Sequence, residues 1–167
     1  SVYIWGGVAI EPYRKSLNAL LDHPIMYFET YLASEGFVAY QAKKDVDGMR
    51  LNFKNGMFYE FIPFNENNFD ENNDVRPNAE CLNLRQVKKD TDYAILLTTC
   101  SGAWRYLIGD TIRFIDKENA EIIITGRTKH FLSIVGEHLS VDNMNKAIQL
   151  VSEDLNLSIP EYGVRGE

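Results

Sequence analysis

The order of the apolar segments is the feature that most constrains the fold of this chain. Residues 2–10 have the pattern of a buried strand, residues 11–22 carry apolar side chains at helical spacing, and residues 25–32 form a second apolar run. A helix between two such strands is typical of an α/β sheet. The sequence therefore predicts a β-α-β unit at the start of these 167 residues.

The middle of the chain is dominated by short strand patterns that turn residues separate. Asn55-Gly56 lies between strands predicted at 49–53 and 57–64, and this dipeptide is a strong hairpin signal because it adopts the backbone of two-residue turns. Further strands are predicted at 82–87, 93–100, 104–108, 111–115 and 120–124, with turns at 101–102 and 109–110. The sequence thus predicts a β-rich meander, so the expected fold class is α/β, or α+β within this stretch.

A change of pattern follows the meander. Gly126 is predicted to break the strand before it, residues 131–135 have the pattern of one more strand, and residues 141–155 have the apolar stripe of an amphipathic helix. We therefore expect a domain boundary near residues 125–129.

The acidic segment at residues 65–78 is predicted to be a mobile surface loop. It is almost wholly Asn, Asp and Glu, and such runs are usually solvated. It also lacks the glycine and the ligand spacing of a calcium loop, so a cation site is not predicted there.

The charge balance and the hydropathy pattern narrow the class of protein. Seventeen Lys and Arg stand against 24 Asp and Glu, which gives a formal net charge of −7 and disfavours nucleic acid and anionic membranes as partners. No apolar run approaches the roughly 18 residues of a membrane span. We expect a cytoplasmic protein in which Cys81 and Cys100 are reduced.

Three polar segments have the residue types of a nucleotide site. Residues 31–36 place a hydroxyl and a carboxylate at the end of an apolar strand, where ligands of α/β sheets bind. In residues 105–110 a carboxylate after a strand could accept both hydroxyls of a ribose. Residues 125–129 place a glycine beside two cations that could meet a phosphate. Read alone, the first segment is more often an ordinary turn and the third more often a basic loop, and the carboxylate of the second could equally cap a hairpin.

In combination and in this order, the segments resemble the adenylate-forming superfamily. Within it, the chain is most similar to the auxin-responsive acyl-acid amido synthetase family in its bacterial form. The resemblance rests on YLASEG at 31–36, YEFIP at 59–63, TTCSGAWRYLIGD at 98–110 and GRTKHFLSIVGEHL at 126–139. It covers nearly the whole chain.

The resemblance implies roles for the first polar segment. Tyr31 falls at the adenine position, and Ser34 falls at a position that contacts phosphate. Glu35 falls at the position of a catalytic carboxylate that binds Mg²⁺.

The resemblance also implies roles for the other two segments and a domain division. Asp110 matches the ribose-binding aspartate, Arg127 matches an arginine that meets the nucleotide, and Lys129 falls at the catalytic hinge. Residues 1–125 would be the C-terminal portion of the large adenylate-forming domain. Residues 126–167 would be the hinge and the beginning of the small C-terminal domain.

The implied activity is an ATP-dependent ligation. A carboxylic acid would react with ATP, with Mg²⁺ as cofactor, to give an acyl-adenylate, and an amino acid would then displace AMP to give an amide. Neither the superfamily's phosphate loop nor its C-terminal catalytic lysine is found in residues 1–167, so we expect a fragment that is inactive alone. Two alternatives stay open at this point: an acyl-CoA ligase that uses CoA as acceptor, and a non-catalytic α+β binding domain. The sequence indicates no oligomeric state.

Overall fold

The structure of the chain is a computed structural model, and it describes residues 1–7, 10–44, 46–129, 131–134, 137–155, 157, 159, 162 and 163. The first part contains β1 (Val2–Gly6), α1 (Glu11–Ala19), β2 (Met26–Ala33), β3 (Gly36–Tyr40) and β4 (Met49–Leu51). The meander contains β5 (Met57–Pro63), β6 (Asp92–Thr99), β7 (Tyr106–Asp116) and β8 (Glu121–Arg127). The last part contains β9 (Phe131–Ile134), β10 (Glu137–Ser140) and α2 (Val141–Asp154).

The predicted α+β class is confirmed by one large mixed sheet. Over the described residues, eight strands follow the order β1-β2-β3-β4-β8-β7-β6-β5, and β9 pairs with β10 in a separate two-stranded sheet. β1 lies parallel to β2 with α1 between them in the chain, which is the predicted β-α-β unit. The strands β5 to β8 form the predicted antiparallel meander.

The predicted helix at 11–22 is shorter in the structure. The α1 helix begins at Glu11 with a proline in its first turn, where the missing N–H costs no hydrogen bond, and it ends at Ala19. Within the described part of the chain, neither α1 nor α2 has the length and apolar character needed to cross a membrane.

The hairpin predicted across Asn55-Gly56 is wrong. β4 pairs with β3 and β8, whereas β5 pairs with β6 at the far end of the strand order. The Asn55 side chain links β3 and β5 instead. Its Nδ2 donates to the Phe37 carbonyl at 2.7 Å, and its Oδ1 accepts a hydrogen bond from the Met57 amide at 3.1 Å. A local turn signal predicts a reversal of the chain but does not specify which strand the chain then meets.

The sheet curls so that β5, at one end of the strand order, shares a core with β2 and β3. Tyr59 and Phe61 of β5 lie in the same buried cluster as Tyr31 of β2 and Val38 of β3. The approach is close at Gly36, whose φ of +153° favours glycine and where a Cβ would lie 2.8 Å from Met57 Sδ. This curl carries β2 toward the meander, and the candidate site lies where they meet.

The strand predicted at 82–87 is also wrong. Only Leu82 pairs, in an isolated bridge with Phe61, through hydrogen bonds of 2.8 and 2.9 Å between the two backbones. The Asn83 side chain then accepts the Arg85 amide at 2.9 Å. Asparagine offers the backbone this local alternative to a strand ladder, so the pairing stops.

The two strands predicted at 104–108 and 111–115 are one strand, β7. Ala94 of β6 pairs with Thr111 and Leu96 pairs with Leu107, so residues 108–110 bulge opposite Ile95. Gly109 supports this bulge with a φ of +87°, which other residues adopt only with strain. The predicted turn at 109–110 is therefore a bulge inside a continuous strand.

The strand break predicted at Gly126 is wrong as well. β8 continues through Gly126 to Arg127, with Thr125 as an extra residue between the pairs Thr111–Gly126 and Ile112–Ile124. Beyond β8, the strand predicted at 131–135 is observed as β9, and its last residue, Val135, lies outside the described residues.

The acidic segment at 65–78 is tied to the rest of the protein. Asn68 and Phe69 are buried, and Phe69 packs edge-to-face on Phe64 with ring centroids 4.8 Å apart. The side-chain nitrogen of Asn68 donates to the Pro63 carbonyl at 2.9 Å, and its side-chain oxygen accepts a hydrogen bond from the Glu80 amide at 2.8 Å. Two buried side chains thus anchor a loop that the composition alone predicted to be wholly on the surface.

Candidate functional site

The structure brings three of the predicted site residues into direct contact. Asp110 sits in the β7 bulge, and its side chain is only 12% exposed. The Tyr31 hydroxyl donates to Asp110 Oδ2 at 2.6 Å, and Arg127 forms an ion pair with Asp110 in which Nε lies 2.9 Å from Oδ1. One carboxylate is therefore bound on both oxygens by donors from two other strands, β2 and β8.

Asp110 owes its position to the bulge rather than to the end of a strand. It pairs directly with Arg127 across β7 and β8, so the two side chains are neighbours in the ladder. Thr128 reinforces the same place, since its amide donates to the Gly109 carbonyl at 2.8 Å. The backbone therefore holds the third polar segment against the second.

Tyr31 reaches Asp110 from β2, a strand that is not paired with β7. Its ring is 4% exposed and belongs to the main core cluster, next to the β2–β3 turn. Burial, and then the charge and hydrogen bond of Asp110, raise the pKa of the Tyr31 hydroxyl well above its usual range. The hydroxyl thus stays protonated and acts as a donor at physiological pH.

Ser34 and Glu35 form the turn between β2 and β3. Ser34 is exposed and Glu35 is half-buried. The charge of Glu35 contributes to the raised pKa of Tyr31, so this carboxylate lies within electrostatic reach of the cluster. The first polar segment therefore lies beside the other two, as the sequence predicts for one shared site.

Lys129 makes a contact that the sequence does not predict. Its Nζ lies 2.6 Å from Asp74 Oδ1 in the acidic loop, and both side chains are well exposed. The hydrogen bond and the charge of Asp74 raise the pKa of Lys129. The predicted hinge residue is thus paired with the acidic loop and not with Asp110.

Two further residues at the site were missed by reasoning from the sequence. Thr128 is almost fully buried, and Thr125 donates its hydroxyl to the Thr111 hydroxyl at 3.0 Å. Both lie in the segment 125–129, in which the glycine and the cations drew attention. The threonines themselves were a signal in the sequence, because a threonine hydroxyl can hydrogen-bond to a nearby backbone carbonyl.

A separate cleft of about 890 Å³ lies on the same sheet. Trp5, Tyr27 and Glu29 line it together with Lys146 and Gln149 of α2. None of the predicted site residues lines this cleft. The cluster at Asp110 is therefore a distinct place in the fold.

The side chains near the cluster limit how this chain could bind a metal ion. Among the residues that the structure describes, no three His, Cys, Asp or Glu side chains converge on one point. A single carboxylate such as Glu35 suits Mg²⁺ that keeps most of its other ligands from water and from a nucleotide's phosphates. The residues present therefore fit a shared magnesium site and not one made by protein alone.

Parts of the chain are similar to known proteins. Residues 51–125 match the model of the GH3 family central domain. A jasmonoyl-L-amino acid synthetase, JAR6, of Nicotiana attenuata is 26% identical over 159 residues, which are 90% of this chain and 26% of the relative. The chain thus spans about a quarter of the length of the curated relative that it matches.

Two solved structures share the fold. A GH3.15 acyl acid amido synthetase superposes with a TM-score of 0.67 at 21% identity, over 88% of this chain and 25% of the other. The AtGH3.15 acyl acid amido synthetase in complex with 2,4-DB gives a TM-score of 0.60 at 24% identity, over 83% and 23%. The fold is that of the acyl acid amido synthetases.

The resemblance to the acyl-acid amido synthetase family is therefore confirmed. Residues 51–125 resemble the central domain of the GH3 family, and the similarity to the jasmonoyl-L-amino acid synthetase extends over 90% of the chain. The bacterial form inferred from the sequence stays a prediction.

Proposed function

We propose that this chain is part of an ATP-dependent ligase that joins a carboxylic acid to an amino acid through an acyl-adenylate. The observation that carries the proposal is the cluster in which Tyr31 and Arg127 hold Asp110, inside a chain that has a GH3 central domain. The relatives named above are acyl acid amido synthetases. Acid, amino acid and ATP are thus the proposed partners.

Asp110 is proposed to bind the ribose. A carboxylate has about four lone-pair positions, and Tyr31 and Arg127 occupy one on each oxygen. Two acceptor positions are left, which matches the two hydroxyls of a ribose. Partial burial makes these bonds stronger than they would be in bulk water.

Ser34 and Glu35 are proposed to face the phosphates. A serine hydroxyl can donate to a phosphate oxygen, and the Glu35 carboxylate would hold Mg²⁺, which neutralises phosphate charge when it is bound. The turn position of both residues suits this role, because side chains in a two-residue turn project beyond the sheet.

Arg127 and Lys129 are proposed to act at the junction between two domains. The Arg127 side chain is 60% exposed, so it can exchange Asp110 for a nucleotide without crossing the core. Lys129 follows the end of β8, where a small change in backbone angles would swing residues 130–167 relative to residues 1–125. The boundary near 125–129 is part of this proposal.

The proposed reaction has two steps, adenylation of the acid and then formation of the amide. An oxygen of the acid attacks the α-phosphorus of ATP, and pyrophosphate leaves with the electrons of the broken P–O bond. The amine nitrogen of the acceptor then attacks the acyl carbon, AMP leaves, and the amine loses a proton. The residues of this chain contribute by binding the nucleotide and positioning it, since phosphoryl transfer depends mainly on positioning and charge stabilisation.

Pyrophosphate exchange tests the proposal. The longest natural chain that contains these 167 residues is assayed with ATP and a panel of carboxylic acids, and amino acids are compared with CoA as acceptors. We expect acid-dependent exchange, an amide product, and loss of exchange in Asp110→Ala. Asp116→Ala, which changes a half-buried carboxylate at the end of the same strand, is the matched control and should keep wild-type exchange.

The other outcomes select between the remaining functions. A thioester with CoA and no amide would identify an acyl-CoA ligase. No exchange with any acid would contradict an adenylate-forming activity and favour a non-catalytic binding domain. The cytoplasmic location stays a prediction, which fractionation of cells that express the natural chain would test.

A further inference from the structure

We propose that Asp74 of the acidic loop is a positioning residue, which binds the hinge residue Lys129 and thereby favours one arrangement of residues 130–167 relative to the large sheet. This inference rests on the proposed function. It gives a role to the loop at 65–78, to which the sequence assigned none. The loop would act on the reaction through the hinge.

The first argument is the contact itself. Lys129 Nζ lies 2.6 Å from Asp74 Oδ1, which is close to the lower limit for charge-assisted hydrogen bonds. Lys129 comes two residues after Arg127, where β8 ends. The acidic loop therefore binds the chain at the point where we propose that the two domains divide.

The second argument is the anchoring of Asp74. Its amide donates to Asp70 Oδ1 at 2.9 Å, and its carbonyl accepts a hydrogen bond from the Asp70 amide at 2.9 Å. The next residue, Val75, forms an isolated bridge with the buried Phe69. Because the carboxylate is presented from a fixed turn, less conformational entropy is lost when it binds Lys129.

The third argument is the anchoring of the chain just before Lys129. Thr128 is buried, and its amide and its hydroxyl both donate to the Gly109 carbonyl, at 2.8 and 3.3 Å. Up to Thr128, the backbone is therefore fixed to the large sheet. Lys129 comes directly after these contacts, so Asp74 holds the side chain of the residue at which we propose that the rotation occurs.

The fourth argument is the strength of the pair. The side chains of Lys129 and Asp74 are 61% and 59% exposed, and exposed pairs are weak because water and salt screen them. A weak contact can form and break in every catalytic cycle, yet it changes the ratio of two arrangements by about threefold. The charge of Asp70 adds to the attraction, since it also contributes to the raised pKa of Lys129.

Proteolysis tests the contact without any need for activity. In the longest natural chain that contains these residues, the rate of tryptic cleavage after Lys129 is followed by mass spectrometry. Lys129 must leave Asp74 before trypsin can bind it. For Asp74→Ala we therefore expect cleavage at this bond about threefold faster than in the wild type.

The ratio of amide formation to pyrophosphate exchange tests the positioning role. The two half-reactions are proposed to use different arrangements of the two domains, so a change in the balance between them affects the two rates differently. In Asp74→Ala the ratio should change by about threefold. A general loss of stability would lower both rates together and leave the ratio unchanged.

Three further variants serve as controls. Glu71→Ala removes the same charge from an exposed side chain of the same loop and should keep the wild-type cleavage rate and ratio. Asp74→Glu retains the carboxylate and should stay near the wild type in both measurements. In a Lys129→Gln chain, Asp74→Ala should not change the ratio further, because a residue that acts through Lys129 has no effect without it.

The remaining outcomes contradict the inference. If the wild type exchanges pyrophosphate, an unchanged ratio or unchanged cleavage in Asp74→Ala would overturn the role of Asp74 and leave the proposed function intact. The same change of ratio in the Lys129→Gln chain would overturn it as well. Absence of exchange in the wild type would contradict the proposed function and, with it, the positioning role.

Discussion

Arg127 lies directly opposite Asp110 in the pairing of β7 with β8, and its Nε is 2.9 Å from Asp110 Oδ1. Arg127 is the last residue of β8, and Asp110 lies in the bulge of β7. Two segments that are 17 residues apart thus meet because of strand register.

Arg127→Gln should separate the structural role of this pair from its functional role. The Arg127 side chain is largely exposed but Asp110 is not, so its loss leaves a largely buried carboxylate with one partner fewer, and we expect the free energy of unfolding in urea to fall by about 1–3 kcal/mol. Exchange activity should fall at least about 10-fold if Arg127 contacts the nucleotide. The control is Arg113→Gln on β7, which removes the bidentate pair with Asp92 of β6 and should leave exchange unchanged. Equal activity in both variants would remove Arg127 from the proposed site.

The aromatic core of the meander should determine its stability. Phe61 is fully buried and meets Phe114 edge-to-face, with ring centroids 5.1 Å apart. Phe61→Ala leaves a large cavity, so we expect a loss of about 3–5 kcal/mol in the free energy of unfolding. Phe58→Ala on the same strand removes a ring that is 60% exposed and should cost less than about 1 kcal/mol. Similar losses at the two positions in urea titrations would contradict the packing described here.

Tyr31 should make the protein less stable at alkaline pH. Its pKa is higher in the folded state than the ordinary value of 10.0, so the native chain holds this proton after the unfolded chain has released it. The stability linked to this group is complete below about pH 10 and is lost as the pH rises beyond that. The free energy of unfolding of the wild type should therefore fall more steeply above pH 10 than that of Tyr31→Phe. Parallel profiles from pH 8 to pH 11 would contradict the raised pKa.

Asn68 should hold the acidic loop in place. Its side chain donates to the Pro63 carbonyl and accepts the Glu80 amide, and Asn68→Ala would leave both backbone groups without these partners. We expect a loss of about 1–3 kcal/mol and faster hydrogen exchange at the Glu80 amide. Asn72→Ala in the same loop changes an exposed side chain and should leave both measurements near wild type. Unchanged exchange at Glu80 in Asn68→Ala would show that the loop has another anchor.

Local patterns predicted the elements better than their partners. The β-α-β unit, the meander and the last helix follow from hydrophobic periodicity, which depends on neighbours along the chain. The Asn55-Gly56 turn was recognised, but its strands pair elsewhere, since β4 lies between β3 and β8 and β5 pairs with β6. Gly109 was recognised as a special backbone position, but only the register of β6 and β7 shows that it forms a bulge and not a turn.

The sequence by itself determined the residue types of the candidate site and, through the combination of its motifs, the family that the chain resembles. Tyr31, Asp110 and Arg127 were all identified from short polar segments. Only the tertiary structure decided what these residues do to one another: the curl of the sheet buries the Tyr31 ring and turns its hydroxyl to Asp110, and the ladder places Arg127 on the other oxygen. The physical reason is that hydrogen bonds between residues 79 positions apart depend on the path of the whole chain, which no local pattern contains.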